Sequence, residues 1–211
     1  MGGLVDYFNK GGPMMWPLLV LAIIGLAIVF ERLITLYIRA GKKPSQIVDQ
    51  VIDLFENQGM EEVLDYLRRE PSPVAKVILH GLERVEKGRL VVEEAMAQKA
   101  ASELAFLDRG MVYLTAIATL APILGFLGTV TGMIRAFQAI AVAGEVEPSL
   151  VAGGISEALI TTATGLIIAA PVAFFYAVFT SRINGFLRSM EEATNGLVEY
   201  LLERGVLTEG Y

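Results

Sequence analysis

The sequence has 211 residues, of which 54% are hydrophobic and only 19% charged, with a mean hydropathy of +0.55. This balance fits a membrane protein with a sizeable aqueous part, in one or two domains. The formal charge of −6, with no dense basic patch, argues against nucleic acid as a partner. The lack of cysteine and the presence of a single histidine, His80, exclude disulfides, thiol chemistry and Cys/His metal clusters.

Residues 1–12 are short, polar and glycine-rich, and Asp6, Tyr7, Phe8 and Gly11-Gly12-Pro13 suggest a brief interfacial segment on the periplasmic side. An uncharged run from Met14 to Phe30 continues as a mainly apolar stretch to Ile38, long enough for a first span over residues 13–38. Trp16 and Tyr37 mark its two ends as aromatic belts do. It lacks a basic leader and is too long for a signal-peptide core, so it reads as a retained anchor. Glu31 and Arg32 fall in its inner third, where they pair with neighbours or snorkel. Arg39, Lys42 and Lys43 follow, against only Lys10 before the span, so the positive-inside rule places the N-terminus outside and the C-terminus inside.

Residues 39–109 are expected to form a cytoplasmic helical bundle. Ile47, Val48, Val51, Ile52 and Phe55 recur at helical spacing up to Gly59, and Val63, Leu64 and Leu67 mark a short helix closed by Pro71. Ser72-Pro73 is read as an N-cap followed by an N1 proline for a third helix. After Gly88, an alanine-rich helix is predicted from Leu90 to Asp108. His80 reads as an ordinary surface or packing residue, and the charges from Glu83 to Glu94 as a solvated face.

The second span is placed at 110–143, an acidic periplasmic loop at 144–148 and the third span at 149–181, with 182–211 forming a cytoplasmic helix and tail. A helix from Ser149 to about Glu203 would be roughly 80 Å long, far more than the bilayer needs. Its inner part is expected to pack on the Leu90–Asp108 helix.

The hairpin of spans two and three carries the candidate chemistry. Glu157 lies about 12 Å inward along its helix from the outer surface, and a carboxylic acid at such depth is a functional candidate. Thr162 and Thr129 lie about 20 Å and 21 Å inward, close to mid-membrane. Thr115, Thr119, Pro122, Phe126, Thr129 and Met133 share one helix stripe, and Glu157, Thr161 and Thr164 another. Gly125, Gly128, Gly132 and Gly165 belong to small-residue faces that let helices approach closely. Two plainer readings stand beside this one. A spanning threonine commonly bonds back to its own helix carbonyl, and Arg135, level with Glu157, either forms an ion pair with it or acts at the channel mouth. The glycine series lacks a Gly-Lys-Ser/Thr ending and is no phosphate loop. One hairpin cannot enclose a path, so a ring of copies or a partner helix is implied. No nucleophile–base pair is visible; neither enzymatic activity nor a cofactor is expected.

Trp16-Pro17-Leu18-Leu19 leading to Phe30-Glu31-Arg32-Leu33 resembles the first span of the MotA/TolQ/ExbB proton channel family. Ala121-Pro122, Leu124-Gly125, Leu127-Gly128-Thr129-Val130 and Gly132-Met133 resemble its second span. Gly154 to Gly165, closing with Ala169 and Pro171, resembles its third. Three spans favour the ExbB/TolQ branch. The resemblance implies a homo-oligomeric ring, typically a pentamer, in the bacterial inner membrane. It implies an ExbD/TolR-like single-span partner, whose aspartate is the main proton carrier, and a TonB/TolA-like protein beyond it. It also places the pore threonines on Thr129 and Thr162 and the family glutamate on Glu157. The function expected is that of a proton-motive-force-driven motor subunit for biopolymer transport. A sodium-driven or gliding-type stator and a structural membrane scaffold are the alternatives.

Overall fold

The computed structural model describes residues 2–38, 43–144 and 148–208. Arg39, Lys42 and the loop residues 145–147 lie outside the described residues, as does the side chain of Tyr37. The described chain is all-helical apart from its connections: α1 (Gly2–Lys10), α2 (Met15–Ile38), α3 (Pro44–Gln58), α4 (Met60–Arg69), α5 (Pro73–Leu82), a 3-10 turn (Val85–Lys87), α6 (Arg89–Leu107), α7 (Met111–Ala143) and α8 (Pro148–Glu203). Three stretches are helical, long and apolar enough to cross a membrane: Met15–Leu36, Arg89–Ala143 and Val151–Glu203. The second takes in both α6 and α7. The chain is therefore an all-α, multi-pass membrane protein.

Two compact units divide it, one of Met1–Glu31 with Gly110–Val178, the other of Arg32–Arg109 with Phe179–Tyr211. Helices α2 and α8 contribute residues to both.

The second unit has a conventional hydrophobic core. Ile47 and Val51 of α3, Leu67 of α4, Val74 and Ile78 of α5, Val92 and Met96 of α6, and Met190, Leu197 and Leu201 of α8 are buried together. Each large side chain removed from water contributes about 1.5–3 kcal/mol, so this cluster dominates the unit's stability. The C-terminal part of α8 faces α6 across a cavity of about 300 Å³ lined in part by Ala97, Ala100, Met190 and Val198. At the edge, Tyr200 donates a hydrogen bond to Glu56 at 2.9 Å, Arg204 pairs with the same carboxylate, and Phe55 meets the Tyr200 ring edge-on. Arg32, the first residue of the unit, is buried and donates to the carbonyls of Leu107 at 3.1 Å and Phe106 at 3.4 Å. A cation at the end of α6 meets the negative pole of that helix, which offsets part of its desolvation. Its burial answers the choice between pairing and snorkelling: the guanidinium turns into the protein.

Two local features add to the sequence reading. Residues 2–10 form a helix, although nine residues are too few to sustain one by propensity alone. Contacts in the same unit supply the difference: Phe8 meets Trp16 edge-to-face at 5.1 Å, and the Gly11 amide donates to the Tyr7 carbonyl at 3.0 Å. Ser72 takes the N-cap position of α5 without a side-chain capping bond, and its buried hydroxyl has no hydrogen-bond partner. Pro73 at N1 presets the helical φ and brings no N–H to satisfy, so this helix starts without the hydroxyl's help.

Candidate functional site

The site is built where α7 and α8 cross within the first unit. On α7, Ala121, Gly125, Gly128, Gly132 and Ala136 are buried; on α8, Gly154, Ala158, Thr161, Gly165 and Ala169 are. Both series step by 4, 3, 4 and 4 residues, which holds each on one face. The helices touch backbone to backbone. A β-carbon on Gly165 would lie 2.5 Å from the Ala121 carbonyl oxygen, and one on Gly132 would lie 2.7 Å from that of Gly154. A β-carbon on Gly125 would lie within 3.3 Å of the Thr161 carbonyl oxygen and of the Cα of Thr162 and Gly165, and one on Gly128 would collide with the Thr161 side chain. Helix association in lipid depends on such packing because burying apolar surface yields little there. Beside the crossing, Met15, Leu18, Ala121 and Ala169 are buried together.

The hydroxyls have a common orientation. Thr115 donates to Met111 (3.3 Å), Thr119 to Thr115 (3.0 Å), Thr129 to Phe126 (2.6 Å) and Thr131 to Gly128 (3.1 Å), in each case to a backbone carbonyl of α7. On α8, Thr161 donates to Glu157 or Ala158 (3.0 Å each), Thr164 to Ile160 (2.8 Å) and Thr162 to Ala158 (3.0 Å). Thr162 alone among these also reaches across, 3.2 Å from the Gly125 carbonyl oxygen. A hydroxyl whose hydrogen is engaged this way presents only its lone pairs to anything approaching. Thr115 and Thr119 are exposed and Thr129 and Thr162 partly so, whereas Thr161 is fully buried against Gly128. Thr161 therefore serves the crossing, though it lies on the same stripe as Glu157.

Toward the other end of the hairpin, the Arg135 Nη1 lies 2.7 Å from the Glu157 Oε1. The arginine side chain is 48% exposed and the glutamate only 14%. Part of that difference comes from the turn between α1 and α2. Gly12, at φ +68°, lies so close that a β-carbon there would stand 2.5 Å from Glu157 Cδ. Gly11, beside it, packs on Met15 and Ile160. Sequence reasoning missed this contact, although the Gly11-Gly12 doublet before Pro13 is the composition a close backbone approach requires. Pro122 and Pro171 sit inside α7 and α8.

The profile of the MotA/TolQ/ExbB proton channel family matches residues 69–192, which take in α7 and α8 as far as Glu192. The chain belongs to this family. It is 35% identical over 183 residues to a Synechocystis protein named as ExbB-like 1, covering 84% of this chain and 71% of the relative. It is 30% identical to a protein named as an ExbB homolog from Methanothermobacter thermautotrophicus, covering 90% of this chain and 67% of the relative. The biopolymer transport protein exbB1 of Vibrio cholerae is 27% identical, with 81% and 76% covered. Membership of this ExbB/TolQ-like group makes the chain a proton-channel family transport protein, and the hairpin described above lies within the matched region.

Proposed function

We propose that the chain is the ExbB/TolQ-like subunit of a proton-motive-force-driven motor in the bacterial inner membrane. It works as a homo-oligomeric ring, in keeping with a pentamer, around an ExbD/TolR-like single-span partner. The N-terminus is outside and the C-terminus inside, and energy passes outward through a TonB/TolA-like protein. Thr129, Thr162 and Glu157 line the ion path, with Arg135 at its outer mouth; Gly125, Gly128, Gly132 and Gly165 hold the helix crossing that sets their positions.

One observation carries this reading: an acid and a set of hydroxyls share a spanning hairpin whose glycines let the two helices close to backbone contact. A potential of 100 mV supplies about 2.3 kcal/mol per charge moved. Oxygens on α7 and α8 stabilise water and the travelling proton beside the partner's carboxylate. Neutralising that carboxylate lets it pass an apolar wall, and repetition around the ring moves the partner in steps. The test is proton flux into proteoliposomes that hold the chain with its single-span partner. Flux that requires the partner and is abolished by Thr162→Val supports the reading; full flux in that variant refutes the role of Thr162.

A sodium-driven motor is the second reading, favoured by the acceptor-only presentation of the threonine oxygens. Flux or work that stops without sodium at constant proton-motive force selects it.

A further inference from the structure

The Gly11–Gly12 turn lies outside the proposed ion path, yet it is pressed against the path's acid. The Arg135 guanidinium on α7 and the Gly12 backbone between α1 and α2 both face Glu157. The first attracts the carboxylate; the second limits where it can lie. Removing the wall would enlarge the space open to the glutamate side chain, whereas filling it with a β-carbon would expel the carboxylate from its place on Arg135.

We propose that Gly12 is a positioning residue for Glu157: its bare α-carbon forms the wall that holds the carboxylate on Arg135 and ties α1 to the acid of the hairpin. The link to α1 runs through the same turn. Gly11 rests on Ile160, one turn from Glu157, and Phe8 of α1 meets Trp16 of α2 edge-to-face. A shift of α1 therefore acts on the acid through the turn. The consequence for conduction rests on the proposed place of Glu157 in the ion path; the positioning itself does not.

The test reads the carboxylate directly. A hydrophobic carbodiimide adds to a protonated carboxyl, so labelling of Glu157, followed by peptide mass in the intact complex in proteoliposomes, reports release from Arg135. Gly12→Ala is expected to raise the labelling rate about two- to fivefold, the range set by a partly exposed ion pair, as Arg135→Gln does. Gly144→Ala is the control: Gly144 has φ +73° with no atom near its absent β-carbon, so it carries the same backbone strain without the collision. It is expected to leave labelling unchanged. Glu157→Asp withdraws the carboxylate by one methylene, so adding Gly12→Ala to it is expected to change labelling no further. Where Gly12→Ala fails to assemble, assembly of the Gly12→Ala/Glu157→Asp pair supports the proposal and failure of both overturns it. Unchanged labelling in an assembled Gly12→Ala complex also overturns it. Raised labelling with undiminished proton flux upholds the positioning and removes Glu157 from the ion path.

Discussion

Thr162 on α8 and Gly125 on α7 are joined across the helix crossing, hydroxyl to carbonyl oxygen, at 3.2 Å. The same hydroxyl lies 3.0 Å from the Ala158 carbonyl oxygen on its own helix. One hydrogen is thus shared between two acceptors, and a small displacement decides which helix it favours. Thr162→Val keeps the shape and loses both bonds, a net cost of about 0.5–1.5 kcal/mol. The expected outcome is a normally assembled complex by size-exclusion chromatography, with proton flux abolished. Thr162→Ser retains the donor and is expected to retain flux.

The crossing itself tolerates no added volume. Gly165→Val would drive a β-carbon to 2.5 Å from the Ala121 carbonyl oxygen, backbone that cannot swing aside. Overpacking of this kind costs about 1–3 kcal/mol. The expected result is a lowered melting temperature in detergent and loss of the proposed ring assembly, while Gly153→Ala, with nothing near its absent β-carbon, leaves both unchanged.

Arg32 offers a different weakness. Arg32→Leu removes the buried donor to the Leu107 and Phe106 carbonyls and leaves the end of α6 under-satisfied, at about 1–3 kcal/mol. Thermal unfolding is expected to begin at a lower temperature. Arg32→Lys is expected to restore part of the loss, since an ammonium retains the charge but not the planar fork. A wild-type melting curve for Arg32→Leu would show that these bonds contribute nothing net.

Ser72→Ala is expected to gain stability. Its hydroxyl is buried without a partner, so deleting it removes a desolvation cost of about 1 kcal/mol and breaks no capping bond. A fall in melting temperature would mean that the hydroxyl is hydrated in the folded protein.

Partial removal from water, helped by the hydrogen bond to Glu56, raises the Tyr200 phenol above its ordinary range near pH 10, although Arg204 opposes this. A raised folded-state value stabilises the fold while the phenol is protonated, below the unfolded value. That contribution is lost as pH rises through the folded value. In an absorbance titration, Tyr200 is expected to ionise later than an exposed tyrosine, and Tyr200→Phe to delete that late increment. An unchanged titration curve in the variant would contradict the shift.

Much of the helical plan was legible because its signals are local. Apolar runs longer than a bilayer mark the spans, and Gly59, Gly88 and the prolines at 44, 73 and 148 stand where helices end or begin. What could not be read is what depends on contact between distant residues. Helix α1 forms against Trp16 and the Gly11 turn, and nine residues are too few to hold a helix without those contacts. Counting along helices puts Arg135 and Glu157 at one level, but level does not specify direction, and only the structure turns the two side chains toward each other at 2.7 Å. Gly12 is 145 positions away from Glu157 in the chain, and nothing in its neighbours names that partner. Thr161 falls on the same predicted stripe as Glu157 and yet is enclosed, because the facing residue on α7 is Gly128.

Thr115, Thr119, Thr129, Thr131, Thr161, Thr162 and Thr164, each turned hydrogen-inward, give this hairpin an electrical character that no titration can change. A carboxylate surface attracts cations only while ionised, and an arginine repels them at every working pH. Oxygen lone pairs on neutral hydroxyls do neither: they favour positive over negative visitors weakly, without a counter-ion. Acidification of the medium on one side of the membrane would therefore leave this part of the surface with the same preference it has at neutrality.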